Sequence, residues 1–219
     1  MSAPKTVGTA CVIGAGVSGL TATKHLLENG MDVVCFEKSQ HIGGLWRYNE
    51  EDREGYGSVM KNTILNTSKE FVTFSDFPMD PSLPNFMPNQ LFYSYLLEYA
   101  EHFDLVKHIQ FGTTVKSVSL PFASTFTATP LHYLLRVTED FLLLQVIHAS
   151  NYEETGEWNV TTENQGIVRT ATFSHVMICI GHHVCPYKPT IDGAHLFNGT
   201  FSHSHDYKVH KLSRETCAH

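Results

Sequence analysis

Three glycines close to the amino terminus have the spacing of a turn that binds phosphate. The segment Gly14-Ala15-Gly16-Val17-Ser18-Gly19 follows an apolar run and opens an amphipathic one. In such a GxGxxG turn the first glycine permits a tight bend, the second lets the backbone approach a pyrophosphate, and the third lets a helix pack closely on a strand. Free N–H groups at the positive end of the helix dipole then face the phosphates. The spacing predicts a dinucleotide site, and a glycine turn without a ligand is the alternative.

A carboxylate stands where such a site needs one for the adenosine ribose. Glu37 ends a second apolar run, Val33–Phe36. It follows the glycine turn by about 20 residues, the usual separation of the ribose-binding acid. We therefore predict that Glu37 accepts hydrogen bonds from ribose hydroxyls.

These residues require a strand–helix–strand unit around them. Residues 9–13 are an apolar strand, residues 17–27 carry an amphipathic helical pattern that ends at the stop signal Asn29-Gly30, and residues 33–36 are the second strand. A further continuous apolar run, residues 173–181, is typical of the interior of a parallel sheet. The sequence therefore predicts an α/β fold: a Rossmann-like domain with a βαβ unit and a central parallel sheet.

Two other patterns complete the expected fold. The apolar positions of Gln90–Phe103 recur at helical spacing, and their stripe is expected in the core. Alternating apolar residues over Ile109–Val118 and Trp158–Thr162 predict two strands of a small antiparallel sheet. Residues 119–150 interrupt this strand pair, and we assign them no function.

A second glycine-rich segment and a polar segment are further candidates for ligand contact. The paired glycines of Gly43-Gly44-Leu45-Trp46 indicate backbone that passes close to a flat ligand, and the alternative is a loop whose tryptophan fills a surface groove. Asn66 and Thr67 offer an amide and a hydroxyl that suit the edge of a polar heterocycle. Asn66-Thr67-Ser68 is equally a helix-start signal, so the pattern alone leaves both interpretations open.

Composition excludes several other kinds of function. A chain of 219 residues with 42% hydrophobic residues can form one generous domain, and its net charge of −7 argues against nucleic acid or an anionic membrane as the main partner. The 5 cysteines include no CxxC pair and indicate free, buried thiols in a reducing compartment. The 14 histidines include two candidate metal pairs, His182-His183 and His203-x-His205, but no carboxylate or cysteine set at ligand spacing accompanies them, so we predict no metal. No GxSxG segment supports a hydrolase, and no catalytic acid, base or substrate domain supports a dehydrogenase built on the same turn.

Six segments, taken together, are far more specific than the glycine turn. They are Gly14–Gly19; Glu37; Gly43–Trp46; Asn66–Glu70 with Ser75–Pro78; Cys179–His183; and an FxGxxxHxxxY string formed by Phe197, Gly199, His203 and Tyr207. In this combination the chain resembles the amino-terminal half of the flavin-containing monooxygenases, the microsomal class that oxygenates amines and sulfides. In the related Baeyer–Villiger monooxygenases the final aromatic residue of the string is usually Trp, so Tyr207 favours the amine and sulfide class.

The resemblance implies FAD as the bound dinucleotide. Its pyrophosphate would lie on Gly14 to Ser18, its ribose on Glu37, and its flavin end near Gly44, Leu45, Trp46, Asn66 and Thr67. In the family, NADPH reduces the flavin, O2 adds to form a flavin hydroperoxide, and a soft nucleophile takes the distal oxygen. The resemblance thus implies an FAD- and NADPH-dependent monooxygenase of the N,N-dimethylaniline type, with small amines or sulfides as substrates. Asn66 is the candidate residue for orienting NADP and the peroxide.

The resemblance also sets expectations for the domains. It treats residues 1–208 as one FAD-binding domain, with 119–150 as an atypical insertion and 209–219 as an unstructured tail. The family places a second GxGxxG for NADPH soon after the FxGxxxHxxxY string, and the sequence contains one such motif. We therefore expect the NADPH-binding domain to be absent. A non-catalytic, truncated FAD-binding fragment is the alternative to an active monooxygenase.

The expected location follows from the same comparison of motifs. No apolar run approaches the roughly 20 residues that span a bilayer. The family's association with the endoplasmic reticulum membrane is expected to depend on a carboxyl-terminal part that this sequence lacks. The chain alone is therefore expected to be soluble and cytoplasmic.

Overall fold

The computed structural model describes residues 7–51, 55–119, 134–136, 156–182 and 184–209. In chain order the helices and strands are β1 (Thr9–Ile13), α1 (Val17–Glu28), β2 (Asp32–Phe36), α2 (Lys69–Val72), α3 (Asn89–His102), β3 (Ile109–Gln110), β4 (Thr114–Ser119), β5 (Leu134–Arg136), β6 (Trp158–Asn164), β7 (Ile167–Phe173) and β8 (His175–Ile178). Short 3-10 helices cover Gly44–Trp46, Val106–His108 and Ala194–Leu196. The chain forms two compact units, Met1–Gly44 with Leu96–Gly181, and Leu45–Tyr95 with His182–His219.

The first unit contains a four-stranded parallel sheet. Its order is β3-β2-β1-β8, and every neighbouring pair runs parallel. Strand β1 lies between β2 and β8, and its residues Ala10, Cys11 and Val12 are fully buried. A strand covered on both faces is a continuous apolar run, which is the pattern of residues 9–13. The predicted α/β class, βαβ unit and parallel sheet are confirmed.

Helix α1 joins β1 to β2. It begins after Gly16 and ends at Glu28, where the N–H of Asn29 donates to the carbonyl of His25. Gly30 then takes a left-handed conformation with φ of +76° and leads the chain into β2. The stop signal at these two residues is therefore confirmed.

A second sheet of the same unit is antiparallel. Its order is β5-β4-β6-β7, and β4 pairs with β6 as the alternation predicts. Strand β7 returns along β6 after a turn at Gln165-Gly166, both of which have positive φ. The sequence pattern does not predict β7, because six of its seven residues are exposed and no apolar alternation marks them.

The prediction of one antiparallel strand over residues 109–118 is wrong in its first part. Ile109–Gln110 forms β3 and pairs with β2 in the parallel sheet. Gly112, with φ of +63°, then bends the chain before β4 begins. Only residues 114–119 therefore belong to the antiparallel sheet.

The apolar run over residues 173–181 is likewise divided between the two sheets. Phe173 ends β7, and β8 begins at His175 beside β1. Ser174 separates the strands, because its hydroxyl donates to the carbonyl of Thr9 (2.7 Å) and accepts from the N–H of Thr9 (2.9 Å). Within the described sheet, β8 lies at an edge rather than in the interior.

Both sheets of the first unit contribute to one apolar core. Its buried members are Cys11, Ile13, Phe36, Val115, Val118, Val160 and Phe173. Phe36 and Phe173 meet edge to face, with ring centroids 6.2 Å apart. Full burial of one such side chain stabilises a fold by about 1.5–3 kcal/mol. This core fixes the carboxyl ends of β1 and β2, where the glycine turn and Glu37 lie.

The predicted helix at residues 90–103 is confirmed as α3, and Leu96, Tyr99 and Ala100 on its apolar stripe are fully buried. No helix in the described part of the chain is long and apolar enough to cross a membrane. Most of the predicted insertion at 119–150 and of the predicted tail at 209–219 lies outside the described residues, as does His183. The prediction of one FAD-binding domain over residues 1–208 stays a prediction.

Candidate functional site

Gly14 forms the bend between β1 and α1. Its φ is +95°, and its N–H donates to the carbonyl of Phe36 (2.8 Å). A Cβ at this position would lie 2.6 Å from the carbonyl oxygen of Cys179, at the end of the neighbouring strand. Both the conformation and the contact require glycine here.

Gly19 lies where the first turn of α1 crosses the glycine turn. A Cβ at Gly19 would lie 1.7 Å from the carbonyl oxygen of Gly14, which no side chain can share. The helix therefore packs on the turn as closely as backbone allows, the role that the motif predicts for its third glycine.

Gly16 differs from the other two glycines of the motif. It is the N-cap of α1, with an ordinary φ of −77°, and a Cβ there would meet only Gly44, with its Cα 3.6 Å away. Neither the backbone nor the packing therefore requires glycine at this position. No side-chain cap serves the helix at this end, and its first turn holds no acidic residue. The absence of a side chain at Gly16 leaves the N–H groups of the first turn of α1 uncovered by this residue, which fits the close approach of a pyrophosphate.

Glu37 is buried at the end of β2 and holds the turn. Its Oε2 accepts from the N–H of Ala15 and its Oε1 accepts from the N–H of Ser39, each at 2.8 Å. A carboxylate has about four lone-pair positions, so each oxygen can accept a further hydrogen bond from a ribose hydroxyl. Ala15, predicted among the cofactor-binding residues, already uses its N–H inside the protein.

The second glycine segment passes over the first. The N–H of Gly43 donates to the carbonyl of Ala15 (2.9 Å), and a Cβ at Gly44 would lie 3.1 Å from the Cα of Gly16. Both residues have positive φ, of +98° and +56°. The close backbone approach expected from the paired glycines is therefore made to the glycine turn itself.

Two thiols, Cys35 and Cys179, lie next to the turn. The Sγ of Cys35 donates to the carbonyl of Gly14 (3.7 Å). Burial, together with the negative charge of Glu37, raises the pKa of Cys35 to about 12. Burial likewise raises the pKa of Cys11 and of Cys179. These thiols are free and protonated at neutral pH, in agreement with the prediction of free cysteines.

Leu45 and Trp46 belong to the second unit, where they line a cavity of about 900 Å³, a volume within the range of small-molecule sites. The remaining lining comes from residues 58–60 and 63, Cys185–Tyr187, 202–205 and Tyr207. Trp46 also packs edge to face on Phe92, with ring centroids 4.8 Å apart. The tryptophan thus forms part of a concave wall. His203 and Tyr207 of the FxGxxxHxxxY string lie in the same wall.

Asn66 and Thr67 are exposed residues of the second unit and are not part of that cavity lining. Helix α2 begins at Lys69 with Ser68 as its N-cap. Within Asn66-Thr67-Ser68, Ser68 is therefore the N-cap residue, and Asn66 lies outside the helix. Its role toward a cofactor stays a prediction.

Sequence reasoning misses several residues that build the cavity. Ser58 belongs to no motif, and the sequence marks the buried His205 only as half of a candidate metal pair. Both reach the wall through contacts between distant parts of the chain. Only the neighbouring FxGxxxHxxxY string marks that region in the sequence. Among the described residues, no three His, Cys, Asp or Glu side chains form a metal-binding group.

Comparison with known sequences gives a consistent result. The family described as "Flavin-binding monooxygenase-like" matches residues 7–129 and 122–215. Human dimethylaniline monooxygenase (N-oxide-forming) 4 is 40% identical over 200 residues, which cover 90% of this chain and 31% of the relative. Rat flavin-containing monooxygenase 5 is 39% identical over 199 residues, covering 90% and 32%. The chain therefore spans about a third of the length of the curated relatives it matches.

Solved structures share the fold. S-allyl-L-cysteine S-oxygenase from Allium sativum superposes with a TM-score of 0.72 at 21% identity, covering 92% of this chain and 43% of that one. The structure of OTEMO in complex with FAD and NADP gives a TM-score of 0.56 at 22% identity, covering 90% and 30%. At these identities the likeness concerns the fold alone. The sequence matches extend over most of the length of this chain, which therefore belongs to the flavin-binding monooxygenase-like family.

Proposed function

We propose that the chain binds FAD and serves an NADPH- and O2-dependent monooxygenase whose substrates are small amines or sulfides. The observation that carries the proposal is the state of Gly16. This residue is a glycine at the start of α1, although its φ of −77° suits any residue and a Cβ there would make only an ordinary contact with Gly44. Close approach of a pyrophosphate to the backbone would account for a glycine at this position.

Several of the predicted residues have a part in this proposal. The N–H groups at Val17 and Ser18 receive the negative pyrophosphate at the start of α1. Glu37, already oriented by two backbone amides, accepts hydrogen bonds from the ribose. Leu45 and Trp46 offer apolar surface for the flavin end, and their cavity lowers its contact with water.

The chemistry of oxygenation belongs to the cofactor. When bound, FAD would accept hydride from NADPH and activate O2 for transfer to a soft nucleophile. We propose that Asn66 orients NADP through its amide, without acting as an acid or base. Association with the endoplasmic reticulum, which the family resemblance implies, belongs to the same proposal.

A second candidate is FAD binding without turnover by these 219 residues taken alone. The observation that favours it is the number of nucleotide motifs, since the sequence holds one GxGxxG and the family uses another for NADPH. The two candidates share the FAD site and differ in whether bound flavin is reduced.

One experiment tests both candidates. The purified chain is expected to carry about one FAD per molecule, consistent with a single glycine turn. Anaerobic NADPH is then added while the visible flavin absorbance is followed. Bleaching supports the monooxygenase, and a flavin that stays oxidised supports binding without turnover.

Ligand fragments control the assignment of the phosphate site. ADP shares the pyrophosphate and ribose with FAD and should displace it, whereas riboflavin, which lacks phosphate, should not. A chain that neither carries FAD nor binds added FAD or ADP contradicts both candidates.

A further inference from the structure

Two segments of the second unit, residues 56–61 and 203–208, are joined by four hydrogen bonds. At one end the ring Nε2 of His205 donates to the carbonyl of Tyr56 (2.8 Å), and at the other end the N–H of Lys61 donates to the carbonyl of Lys208 (2.9 Å). The remaining two lie between these and share one side chain. The segments therefore form a fixed pair, although they are far apart in sequence.

Ser58 is the shared side chain. Its hydroxyl donates to the carbonyl of His205 (2.7 Å) and accepts from the Nζ of Lys208 (2.6 Å). The second bond is assisted by the positive charge of the ammonium group, which makes it stronger than a bond between neutral groups. Lys208 thus directs the Ser58 hydroxyl hydrogen toward the opposite segment, because the ammonium group occupies a lone pair of the same oxygen.

The segment that carries Ser58 also supports the cavity wall. Gly57, its neighbour, lies directly against Leu45, since a Cβ on Gly57 would be 2.7 Å from the Cβ of Leu45. Leu45 and Trp46 are adjacent, and both line the cavity together with Ser58. A shift of residues 56–61 would therefore move the support of Leu45 and Trp46.

We propose that Lys208 is a positioning residue for this cavity: through Ser58 it holds residues 56–61 against Leu45 and so fixes Trp46 in the cavity wall. Lys208 directly follows the FxGxxxHxxxY string, whose His203 and Tyr207 line the same cavity. The residue that follows the string thus has a structural role. Its consequence for FAD affinity rests on the proposed function, whereas its consequence for Trp46 does not.

Trp46 provides the readout in the ligand-free protein. The chain has 2 tryptophans, and Trp158→Phe leaves Trp46 as the single fluorophore. In that background Lys208→Met should shift the emission to longer wavelength and raise acrylamide quenching about twofold, as expected for a side chain released from a packed wall. Lys208→Arg, which keeps a charged donor, should restore the original signal.

Ligand affinity provides the second readout. Lys208→Met should weaken FAD binding about tenfold, the equivalent of one hydrogen bond to a charged group, and leave ADP binding unchanged. Ser58→Ala loses this bond and also the bond to the His205 carbonyl, so it should change both signals at least as much. The double variant should add nothing to Ser58→Ala, because Lys208 acts through Ser58.

Lys188→Met is the matched control. Lys188 is an exposed lysine that pairs with Asp206 (3.0 Å), which lies two residues before Lys208. Among the described contacts it makes no hydrogen bond to residues 56–61. It should leave Trp46 quenching unchanged. Unchanged quenching in Lys208→Met, or an equal change in Lys188→Met, overturns the proposal. If Lys208→Met does not fold, wild-type quenching in Ser58→Ala overturns the proposed role of Lys208. A chain that binds neither FAD nor ADP contradicts the proposed function, and the fluorescence test still decides the role of Lys208.

Discussion

Replacing Gly16 by alanine should separate ligand binding from folding in the glycine turn. The new Cβ would lie 3.6 Å from the Cα of Gly44, an ordinary contact, and the φ of −77° suits any residue. Alanine is a poorer N-cap than glycine, so we expect the free energy of unfolding to fall by about 1 kcal/mol or less. The ligand-free Gly16→Ala protein should therefore stay folded.

The same substitution should weaken FAD binding, because its methyl group enters the space assigned to the pyrophosphate. A phosphate held away from the helix loses at least one hydrogen bond to a charged group, which contributes about 1.5–3 kcal/mol. At about 1.4 kcal/mol per factor of ten, the Kd for FAD should rise roughly 10- to 100-fold. The Kd for ADP should rise by the same factor, since ADP carries the same pyrophosphate.

Gly19→Ala is the matched variant with the opposite outcome. Its Cβ would lie 1.7 Å from the carbonyl oxygen of Gly14, so the helix must move away from the turn. We expect a loss of about 3 kcal/mol or more in unfolding free energy, at or above the upper end for overpacking.

Urea unfolding of the ligand-free proteins, followed by circular dichroism, and calorimetric titration with FAD and ADP measure both quantities. Wild-type FAD affinity in Gly16→Ala would refute the placement of the pyrophosphate beside Gly16. Wild-type stability in Gly19→Ala would refute the close packing of helix on turn.

Three further predictions concern the surroundings of the turn. Glu37→Gln should lower the unfolding free energy by about 1–3 kcal/mol without any ligand, because an amide cannot accept from both backbone N–H groups; unchanged urea stability would contradict this. Burial raises the pKa values of Cys11 and Cys35, so above pH 8.5 both thiols stay protonated in the folded protein while the unfolded chain loses those protons. The free energy of unfolding should therefore fall as the pH rises, by up to about 1.4 kcal/mol per pH unit for each thiol. Urea midpoints between pH 8 and 10.5 measure that slope, which Cys35→Ala should reduce; an equal slope in the variant counts against it. Asn66→Ala should change stability by no more than about 0.5 kcal/mol and retain FAD, because the residue is exposed; a larger loss in urea unfolding would mean that Asn66 supports the fold.

The sequence predicts the first unit well where a structural feature depends only on residues that are close together in the chain. The glycine spacing, the stop signal at Asn29-Gly30 and the position of Glu37 each describe a local geometry, and the structure has all three. The parallel strands are recognisable because burial on both faces requires continuous apolar residues. Prediction fails at residues 109–118 and 173–181, since an apolar run does not record that the chain leaves one sheet for another.

The cavity of the second unit was beyond prediction for a different reason. Ser58 and Lys208 are 150 residues apart in the chain, and their hydrogen bond has no counterpart in periodicity or spacing. The FxGxxxHxxxY string marks one side of the wall through family resemblance, but nothing in the string indicates residues 56–61. Long-range polar pairs of this kind become visible only in a structure.

The hydrogen bonds around Ala15 explain how the glycine turn keeps its shape without a ligand. Its N–H donates to Glu37 (2.8 Å), and its carbonyl accepts from the N–H of Gly43 (2.9 Å). Because both backbone groups of Ala15 are used inside the protein, the N–H groups left for a phosphate are those that follow it, at Gly16 and in the first turn of α1. A turn held from both sides loses little conformational freedom when a phosphate binds, so little binding free energy is used to order it. Under the proposed function Glu37 would act on a dinucleotide twice, by holding Ala15 and by accepting from the ribose. ADP has both a pyrophosphate and a ribose, so its affinity would report the two effects together.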